Sequence, residues 1–338
     1  MSSPQPRESG PPVPAPFAPA GALWRRVGET PPRWATGVLA GATAYLTAMR
    51  IGVGQVHIEQ ILICAPFALA FLGEGPRRFL HGVLPLLLFG VVYDLTHITQ
   101  PLVRYLSVHV AEPYWFDRTF FGIHTAAGVV TPNEYFAMHN WPAVDFVTGC
   151  AYIVFVYWAL GFGAWLAAFR RDEASRRLLA RFGWTFLFMN IAGFATYYIY
   201  PAAPPWYVAD YGLGPANMAA HSSAAGAARW DALTGWNYFA GFYGRSADVF
   251  GAIPSLHVAY PLLTFLHGRE LRKRWLDLAS FGLFATVCFA AIYLNHHYVL
   301  DVLIGIAYTL VAWGADLALE RRRRRTTARS AAGVLCRG

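Results

Sequence analysis

The sequence predicts an all-α membrane protein, a polytopic bundle of about eight spans with interfacial helices in its extracytoplasmic loops. Of the 338 residues, 56% are hydrophobic and only 14% are charged, whereas a soluble domain carries about a quarter charged residues. The mean hydropathy is +0.35. Apolar stretches also recur along the chain between arginine-rich turns. At about 20 residues each, roughly eight spans fit into this length.

The predicted spans are apolar runs between charged turns or turns rich in Pro and Gly. They cover residues 34–48, 56–72, 79–96, 143–168, 182–200, 255–266, 275–294 and 297–317. The sixth run is short, and the long loop over 206–254 leaves its start open. Region 99–143 mixes charged and aromatic residues, which is typical of helices at the lipid headgroup level.

These bounds divide the chain into three parts. Residues 1–33 are rich in Pro, Ser and Gly at their start and are expected to be a disordered cytoplasmic tail. Residues 34–318 form the transmembrane domain, with its core in 182–318, and residues 319–338 form a basic cytoplasmic tail.

Arginine clusters predict the orientation of the bundle. The net charge is +8, and the clusters lie at 25–26, 77–78, 170–177, 269–274 and 321–325. Short cytoplasmic loops accumulate Lys and Arg, and eight spans bring all five clusters to one side. We therefore expect a multi-pass protein of the cell membrane with both termini in the cytoplasm. Nucleic-acid binding is not expected, because no basic stripe is interleaved with exposed aromatics.

The cysteines predict neither a disulfide framework nor a metal site. Cys64, Cys150 and Cys288 lie in apolar runs and Cys336 lies in the tail, without CxxC spacing. We interpret them as packing residues and expect no metal and no cofactor.

Two histidines stand at the heads of predicted spans on the same, extracytoplasmic, side. His257 begins the sixth span, and His297 begins the eighth with Asp301 four residues later. On a helix this spacing lets the carboxylate accept one ring N–H and leaves the other nitrogen as a base or nucleophile. His296 is five residues from Asp301 and is rotated away, so His297 is the better partner.

The alternative for a single interfacial histidine is a satisfied polar group. An aspartate inside an apolar span is costly and indicates function, and a second histidine at an equivalent position strengthens the case. His257 could then protonate a leaving group while His297 attacks. Both helix N-termini would favour a bound anion such as phosphate.

Three stretches carry a family resemblance. They are Phe250-Gly251-Ala252-Ile253-Pro254-Ser255-Leu256-His257, then Tyr293-Leu294-Asn295-His296-His297-Tyr298-Val299-Leu300-Asp301, and Tyr200-Pro201-Ala202-Ala203-Pro204-Pro205-Trp206-Tyr207. Together they resemble the type 2 phosphatidic acid phosphatase superfamily, and more closely its branch of fungal inositol phosphorylceramide synthases and their bacterial relatives. A fainter match runs from Asn133 to Asp145. The resemblance covers roughly residues 90–315.

The resemblance implies a double displacement between lipids. His297 would attack the phosphorus of a phospholipid donor and form a phosphohistidine, Asp301 would orient His297, and His257 would protonate the departing alcohol. In the synthase branch the donor is phosphatidylinositol, the lipid acceptor is a ceramide, and the group transferred is inositol phosphate.

Two departures from the superfamily pattern matter. The phosphatase branch has a Ser-Arg pair where this chain has Ala290-Ala291, and the stretch 201–207 carries no cation. These departures argue against a simple lipid phosphatase and leave the phosphate-binding cation open. Arg245 is the first candidate, with Arg104 and Arg118 behind it. The alternative is an arginine that snorkels to the headgroups, which suits Arg104 and Arg118 better than it suits Arg245.

Further residues are candidate substrate contacts. Trp206 and Tyr207 could stack on a sugar or glycerol, but they also suit an aromatic belt. The complete set of these contacts, besides Arg245, is Ser255, Tyr298, Trp206, Tyr207 and His296.

Two other functions stay open at this point. A lipid phosphatase acting on phosphatidic acid or an isoprenoid diphosphate would use water as the acceptor. A transporter or structural membrane protein could retain degenerate motifs, but all three catalytic positions are intact and we find no paired broken-helix repeats. The sequence does not distinguish ceramide, diacylglycerol or a polyprenol as acceptor, and it does not fix the oligomeric state.

Overall fold

The structure, a computed structural model, describes residues 33–54, 56, 58–170, 172–246 and 248–335. The predicted disordered tail lies outside these residues except for its last position. Within them the protein is almost entirely helical, as the sequence predicts. The α-helices, in chain order, are α1 (Arg33–Gly52), α2 (Ile58–Cys64), α3 (Glu74–Thr99), α4 (Ala111–Phe120), α5 (Pro132–Met138), α6 (Pro142–Phe169), α7 (Glu173–Ile199), α8 (Pro205–Tyr211), α9 (Ala228–Thr234), α10 (Tyr238–Tyr243), α11 (Leu256–Gly268), α12 (Arg274–Tyr293) and α13 (Val299–Leu335).

Short 3₁₀ turns and one hairpin complete the secondary structure of the described residues. The 3₁₀ turns are Ala65–Phe71, Gln100–Tyr105, Ala225–Ala227 and Arg269–Leu271. The hairpin pairs β1 (Ile123–Thr125) with β2 (Gly128–Val130) in antiparallel register, with His124 opposite Val129.

Within the described residues, five helices are long and apolar enough to cross a membrane. They are α3 with its following 3₁₀ turn, α6, α7, α12, and α13 as far as Thr327. These five match the third, fourth, fifth, seventh and eighth predicted spans. The first predicted span corresponds to α1, which is rich in Gly, Ala and Thr, and the second is divided where Pro66 begins a 3₁₀ turn. The total of eight spans remains a prediction.

The sixth predicted span is a short helix at the centre of the bundle. Helix α11 has 13 residues, about 20 Å at 1.5 Å per residue, against the roughly 30 Å of a bilayer core. It packs against α6, α7, α12 and α13, and ten of its residues are buried. Because longer helices enclose it, α11 is covered along its length without having to reach both membrane surfaces.

The two long regions outside the spans fold onto one end of the bundle. In region 99–143, Pro113, Tyr114 and Asp117 of α4 are buried, whereas Trp115 is exposed. In the second region, the segment around Ala202 forms parallel bridges to His109 on one side and Gly251 on the other. Both regions thus cover the N-terminal end of α11. A headgroup-level location for these helices remains a prediction.

Charged residues gather at the opposite end of the bundle. Arg181 of α7 binds Asp316 of α13 at 2.5 Å and Glu270 at 2.9 Å, and His267 of α11 lies 3.4 Å from the same Asp316. Helix α13 continues through the basic residues 321–325 of the predicted tail. The basic residues 321–325 and the ion pairs of Arg181 are therefore separated from the His257 end of α11 along the bundle axis.

Candidate active site

The two histidines singled out in the sequence meet where α11 and α13 begin. Nε2 of His297 lies 2.9 Å from Nδ1 of His257. Helix α11 starts one residue before His257, and the main-chain N–H of Ser255 donates to the carbonyl of Asp301 at 3.0 Å. This backbone bond ties the two helix starts together and brings the imidazoles into contact.

The surroundings of His297 determine which of its nitrogens carries a proton. Nδ1 lies 3.0 Å from the carbonyl oxygen of Ala252 and 3.4 Å from Oδ2 of Asp301. A carbonyl oxygen can only accept, so Nδ1 must donate. In a neutral ring this leaves the lone pair on Nε2, the nitrogen that faces His257.

The contact between His297 and Asp301 does not arise in the way the spacing suggested. The eighth span was expected to begin at His297, but α13 begins at Val299. His297 lies in the preceding turn, where its main-chain N–H donates to the carbonyl of Ala291 at 2.9 Å. The expectation that one helical turn joins His297 and Asp301 was therefore wrong. Instead, the turn between α12 and α13, bonded to the end of α12, brings the two side chains together.

Two buried aspartates hold the start of α13. Oδ2 of Asp301 accepts from the main-chain N–H of Tyr298 at 2.9 Å. The carboxylate of Asp117, on α4, accepts from the N–H groups of Val299 at 2.7 Å and Leu300 at 3.0 Å, as a helix-capping side chain does. Burial raises the pKa of Asp117 to about 6. Sequence reasoning missed Asp117, because a cap more than 180 residues away along the chain leaves no spacing signal.

Asn133 is bonded to the turn that contains His296 and His297. Its Nδ2 donates to the carbonyls of Ile292 and His297, both at 2.9 Å. Asn133 lies on α5, which begins with a capping box between Thr131 and Glu134. The fainter sequence match that starts at Asn133 was the available signal for this contact.

Stacked aromatic rings surround His257 and His296. Tyr152 of α6 stacks on His257 at 4.5 Å and on His296 at 5.3 Å between ring centroids. Tyr243 stacks on His296 at 4.6 Å. Burial, together with the proximity of His297, lowers the pKa of His296 to about 3, so its ring is neutral. Within the described residues, Nε2 of His296 has no hydrogen-bond partner.

A cavity of about 300 Å³ opens onto the histidines. Aromatic side chains make up much of its wall, which is formed by α3, α6, α7, α8, α10, α11 and the loops beside them. Of the predicted site residues, His257, His297, His296 and Trp206 line it. Asp248, which the sequence reasoning did not single out, also lines it.

The remaining predicted contacts lie elsewhere. Ser255 and Tyr298 are buried, with hydroxyls that lack a hydrogen-bond partner among the described residues, and Tyr207 is buried with its hydroxyl accepting from the N–H of Asn217 at 2.6 Å. Arg245 is exposed, and its Nε donates to the carbonyl of Gly241 at 3.1 Å. The roles of these residues stay predictions.

The cavity wall lacks the cationic side chains that commonly bind phosphate. Among the described lining residues there is no arginine or lysine. Arg104 and Arg118 contact Tyr105 and Trp115 through their guanidinium groups, at 5.3 Å and 5.2 Å from the ring centres.

Residues 131–315 match the PAP2 superfamily. This chain belongs to that superfamily. The matched range contains His257, His297 and Asp301, and it begins at the capping box of α5. No solved structure matches the chain.

Named relatives agree with the superfamily. The chain is 37% identical over 269 residues to the phosphoinositol dihydroceramide synthase of Bacteroides thetaiotaomicron. This alignment covers 79% of this chain and 86% of that protein. It is 35% identical over 129 residues to the inositol phosphorylceramide synthase catalytic subunit of Schizosaccharomyces pombe, covering 38% of this chain and 30% of that protein. The Candida albicans inositol phosphorylceramide synthase is 35% identical over 139 residues, covering 40% of this chain and 28% of that protein.

The resemblance found in the motifs is thereby confirmed. The protein is a PAP2-superfamily enzyme of the lipid phosphotransferase type, and its five long apolar helices fit a multi-pass membrane protein. The donor, the acceptor, the intermediate and the side of the membrane remain predictions.

Proposed function

We propose that this enzyme transfers inositol phosphate from phosphatidylinositol to the hydroxyl group of a ceramide-type lipid, through a phosphohistidine on His297. The observation that carries the proposal is the pairing of His297 with His257 at the end of an aromatic cavity, with Nε2 of His297 unprotonated. The likeness to a phosphoinositol dihydroceramide synthase over most of both chains supports the choice of donor and acceptor.

In the first half-reaction, Nε2 of His297 attacks the phosphorus of phosphatidylinositol. The bond between phosphorus and the glycerol oxygen breaks, and protonated His257 donates its proton to that oxygen, so that diacylglycerol leaves as a neutral alcohol. The phosphorylated imidazole keeps its proton on Nδ1. The carbonyl of Ala252 and the carboxylate of Asp301 lie beside that proton and stabilise the positive ring.

In the second half-reaction, the acceptor hydroxyl gives its proton to the now neutral His257 and its oxygen attacks the phosphorus. The bond between phosphorus and Nε2 of His297 breaks, which releases the phosphoinositol lipid. Both histidines then return to their starting protonation states.

The two imidazoles must separate when the donor binds. In-line attack requires a nitrogen–phosphorus approach of about 3–3.5 Å, and the acid must reach the leaving oxygen at about 2.6–3.2 Å. The nitrogens lie 2.9 Å apart without substrate. The donor phosphate therefore has to displace the direct contact between His257 and His297.

The test is a product assay with purified protein in bilayers. With phosphatidylinositol labelled in its inositol ring and dihydroceramide as acceptor, we expect a labelled inositol phospholipid and one diacylglycerol per turnover. Without acceptor, label should accumulate on the protein as an acid-labile adduct. His297→Ala should abolish both signals, whereas the control His124→Ala, at an exposed position on β1, should leave them unchanged.

Other products would contradict the proposal. Release of most label as free inositol phosphate would indicate a hydrolase, the lipid phosphatase alternative. Full turnover by the His297→Ala protein, or transfer without any protein-bound label in a rapid-quench experiment, would exclude His297 as the nucleophile.

A further inference from the structure

Asp248 contributes the carboxylate on the wall of the active-site cavity. The described lining residues include no other aspartate or glutamate, and no arginine or lysine. Asp248 precedes the motif that leads to His257, and the mechanism above makes no use of it. A carboxylate in this position therefore requires its own explanation.

The Asp248 carboxylate packs against the backbone of Gly251. A Cβ atom at residue 251 would collide with both carboxylate oxygens, so the side chain packs directly on the glycine backbone. The next residue is Ala252, whose carbonyl holds Nδ1 of His297. The carboxylate is thus built against the segment that positions the nucleophile.

The Asp248 carboxylate is half-buried on the cavity wall. Within the described part of the chain, Asp248 has neither a hydrogen bond nor an ion pair with another side chain. Burial raises its pKa to about 6. Asp248 is half-buried and its side chain lines the cavity, so a ligand in the cavity can supply the donors that the protein does not.

The charge of Asp248 restricts which ligand groups can supply these donors. A carboxylate repels an anionic phosphodiester in a poorly solvated site. It attracts hydroxyl groups, which donate hydrogen bonds to ionised acceptors more strongly than to neutral ones. A neutral polyol beside the phosphate meets both conditions.

A quaternary ammonium headgroup is the competing ligand, because a carboxylate among aromatic rings can also hold a cation over the ring faces. The ring faces nearest the histidines are already covered. Tyr152 stacks on both His257 and His296, and Tyr243 stacks on His296. Stacking on the histidines uses ring surface that a cation would otherwise need, and this favours a polyol.

We infer that Asp248 is the residue that selects the headgroup of the donor lipid, by accepting hydrogen bonds from the hydroxyls of its inositol ring. This inference rests on the proposed transfer of inositol phosphate. It adds the residue that distinguishes a polyol headgroup from other headgroups.

The test compares donors and variants in steady-state transfer assays with saturating dihydroceramide. Asp248→Asn and Asp248→Ala should raise KM for phosphatidylinositol about 10- to 100-fold, the effect of losing a hydrogen bond to a charged group, with a smaller change in kcat. The preference for phosphatidylinositol over phosphatidylethanol, whose headgroup has no hydroxyl, should shrink by the same factor. Asp210→Asn, at an exposed aspartate on α8, is the matched control and should behave as the unmodified enzyme.

A second arm uses the unmodified enzyme and does not depend on how the variants fold. Phosphatidylinositol analogues that each lack one ring hydroxyl should include at least one with a similarly raised KM. For that analogue, the losses from Asp248→Asn and from the missing hydroxyl should not add, because they remove the same interaction.

The outcomes separate this inference from the proposed function. If the unmodified enzyme transfers nothing from phosphatidylinositol, the proposed function fails. If it does transfer, but the Asp248 variants keep the normal KM and headgroup preference and no analogue loses affinity, the inference alone is wrong. A preference for phosphatidylcholine that depends on Asp248 would assign the carboxylate to an ammonium group and overturn the polyol assignment.

Discussion

Replacing Gly305 with alanine would test whether the reaction depends on how closely α13 approaches the start of α11. Gly305 lies one turn after Asp301 on α13, and a Cβ atom there would collide with the carbonyl oxygen of Ser255 and lie 3.0 Å from a methyl group of Val258. The obstacle is backbone and cannot rotate away. To restore van der Waals contact the two helices must move apart by about 1 Å.

The expected effect follows from that displacement. His257 belongs to α11 and His297 is attached to α13, so a shift between the helices changes the 2.9 Å distance between the two imidazoles. A misplacement of about 1 Å in a catalytic arrangement costs on the order of 10²-fold in rate. We therefore expect Gly305→Ala to lower kcat about 100-fold, and to change KM for the donor far less.

The assay is transfer of labelled inositol phosphate to dihydroceramide, with a thermal melt of the same preparation. Gly314→Ala is the matched control, because it lies on the same helix and a Cβ there meets nothing within 4 Å. The control should keep full activity. A Gly305→Ala enzyme with near-normal kcat would refute the link between the helix approach and the histidine geometry.

Three further predictions concern the carboxylates around the site. Asp301→Asn should lower kcat on the order of 10³- to 10⁴-fold, because a neutral amide no longer stabilises the positive charge of the phosphorylated His297 ring. Rapid-quench measurement of the labelled intermediate checks this, and normal formation would contradict it. Asp117→Asn loses an acceptor for the N–H of Leu300 and should destabilise the fold by about 2 kcal/mol, seen as a lower melting temperature; an unchanged melt would show that the cap is dispensable. Because burial raises the pKa of Asp248 to about 6, its carboxylate is ionised above that pH and protonated below it. KM for phosphatidylinositol should therefore rise as the pH falls through about 6, and Asp248→Asn should remove that rise.

The sequence was sufficient for the all-helical fold class, and the structure brings the three candidate catalytic residues together. Five of the predicted spans correspond to long helices, because an apolar run of that length between charged turns permits little else. The nature of the sixth predicted span was harder to predict. Its burial in α11 comes from neighbouring helices, and the apolar pattern of a buried helix is the same as that of a lipid-facing one.

The contacts that hold the site were mostly beyond sequence reasoning. Asp117 and Asn133 act on the start of α13 and the turn before it, from elements far away along the chain, and only tertiary contact identifies them. His297 was expected on a helix, but it lies in a turn. Asp248 was one of several charged residues in a long loop until the fold placed it in the cavity.

The enclosed position of α11 has a consequence for the membranes in which the enzyme works. Spanning helices adjust to thin or thick bilayers by tilting, at a cost of fractions of a kcal/mol per Å of mismatch. Helix α11 has neighbours on all sides in place of lipid, and the bond from Ser255 to Asp301 makes its start move together with the start of α13. We expect transfer rates to vary little between bilayers of short and long acyl chains, so that the same reaction centre can serve membranes whose thickness changes with lipid composition.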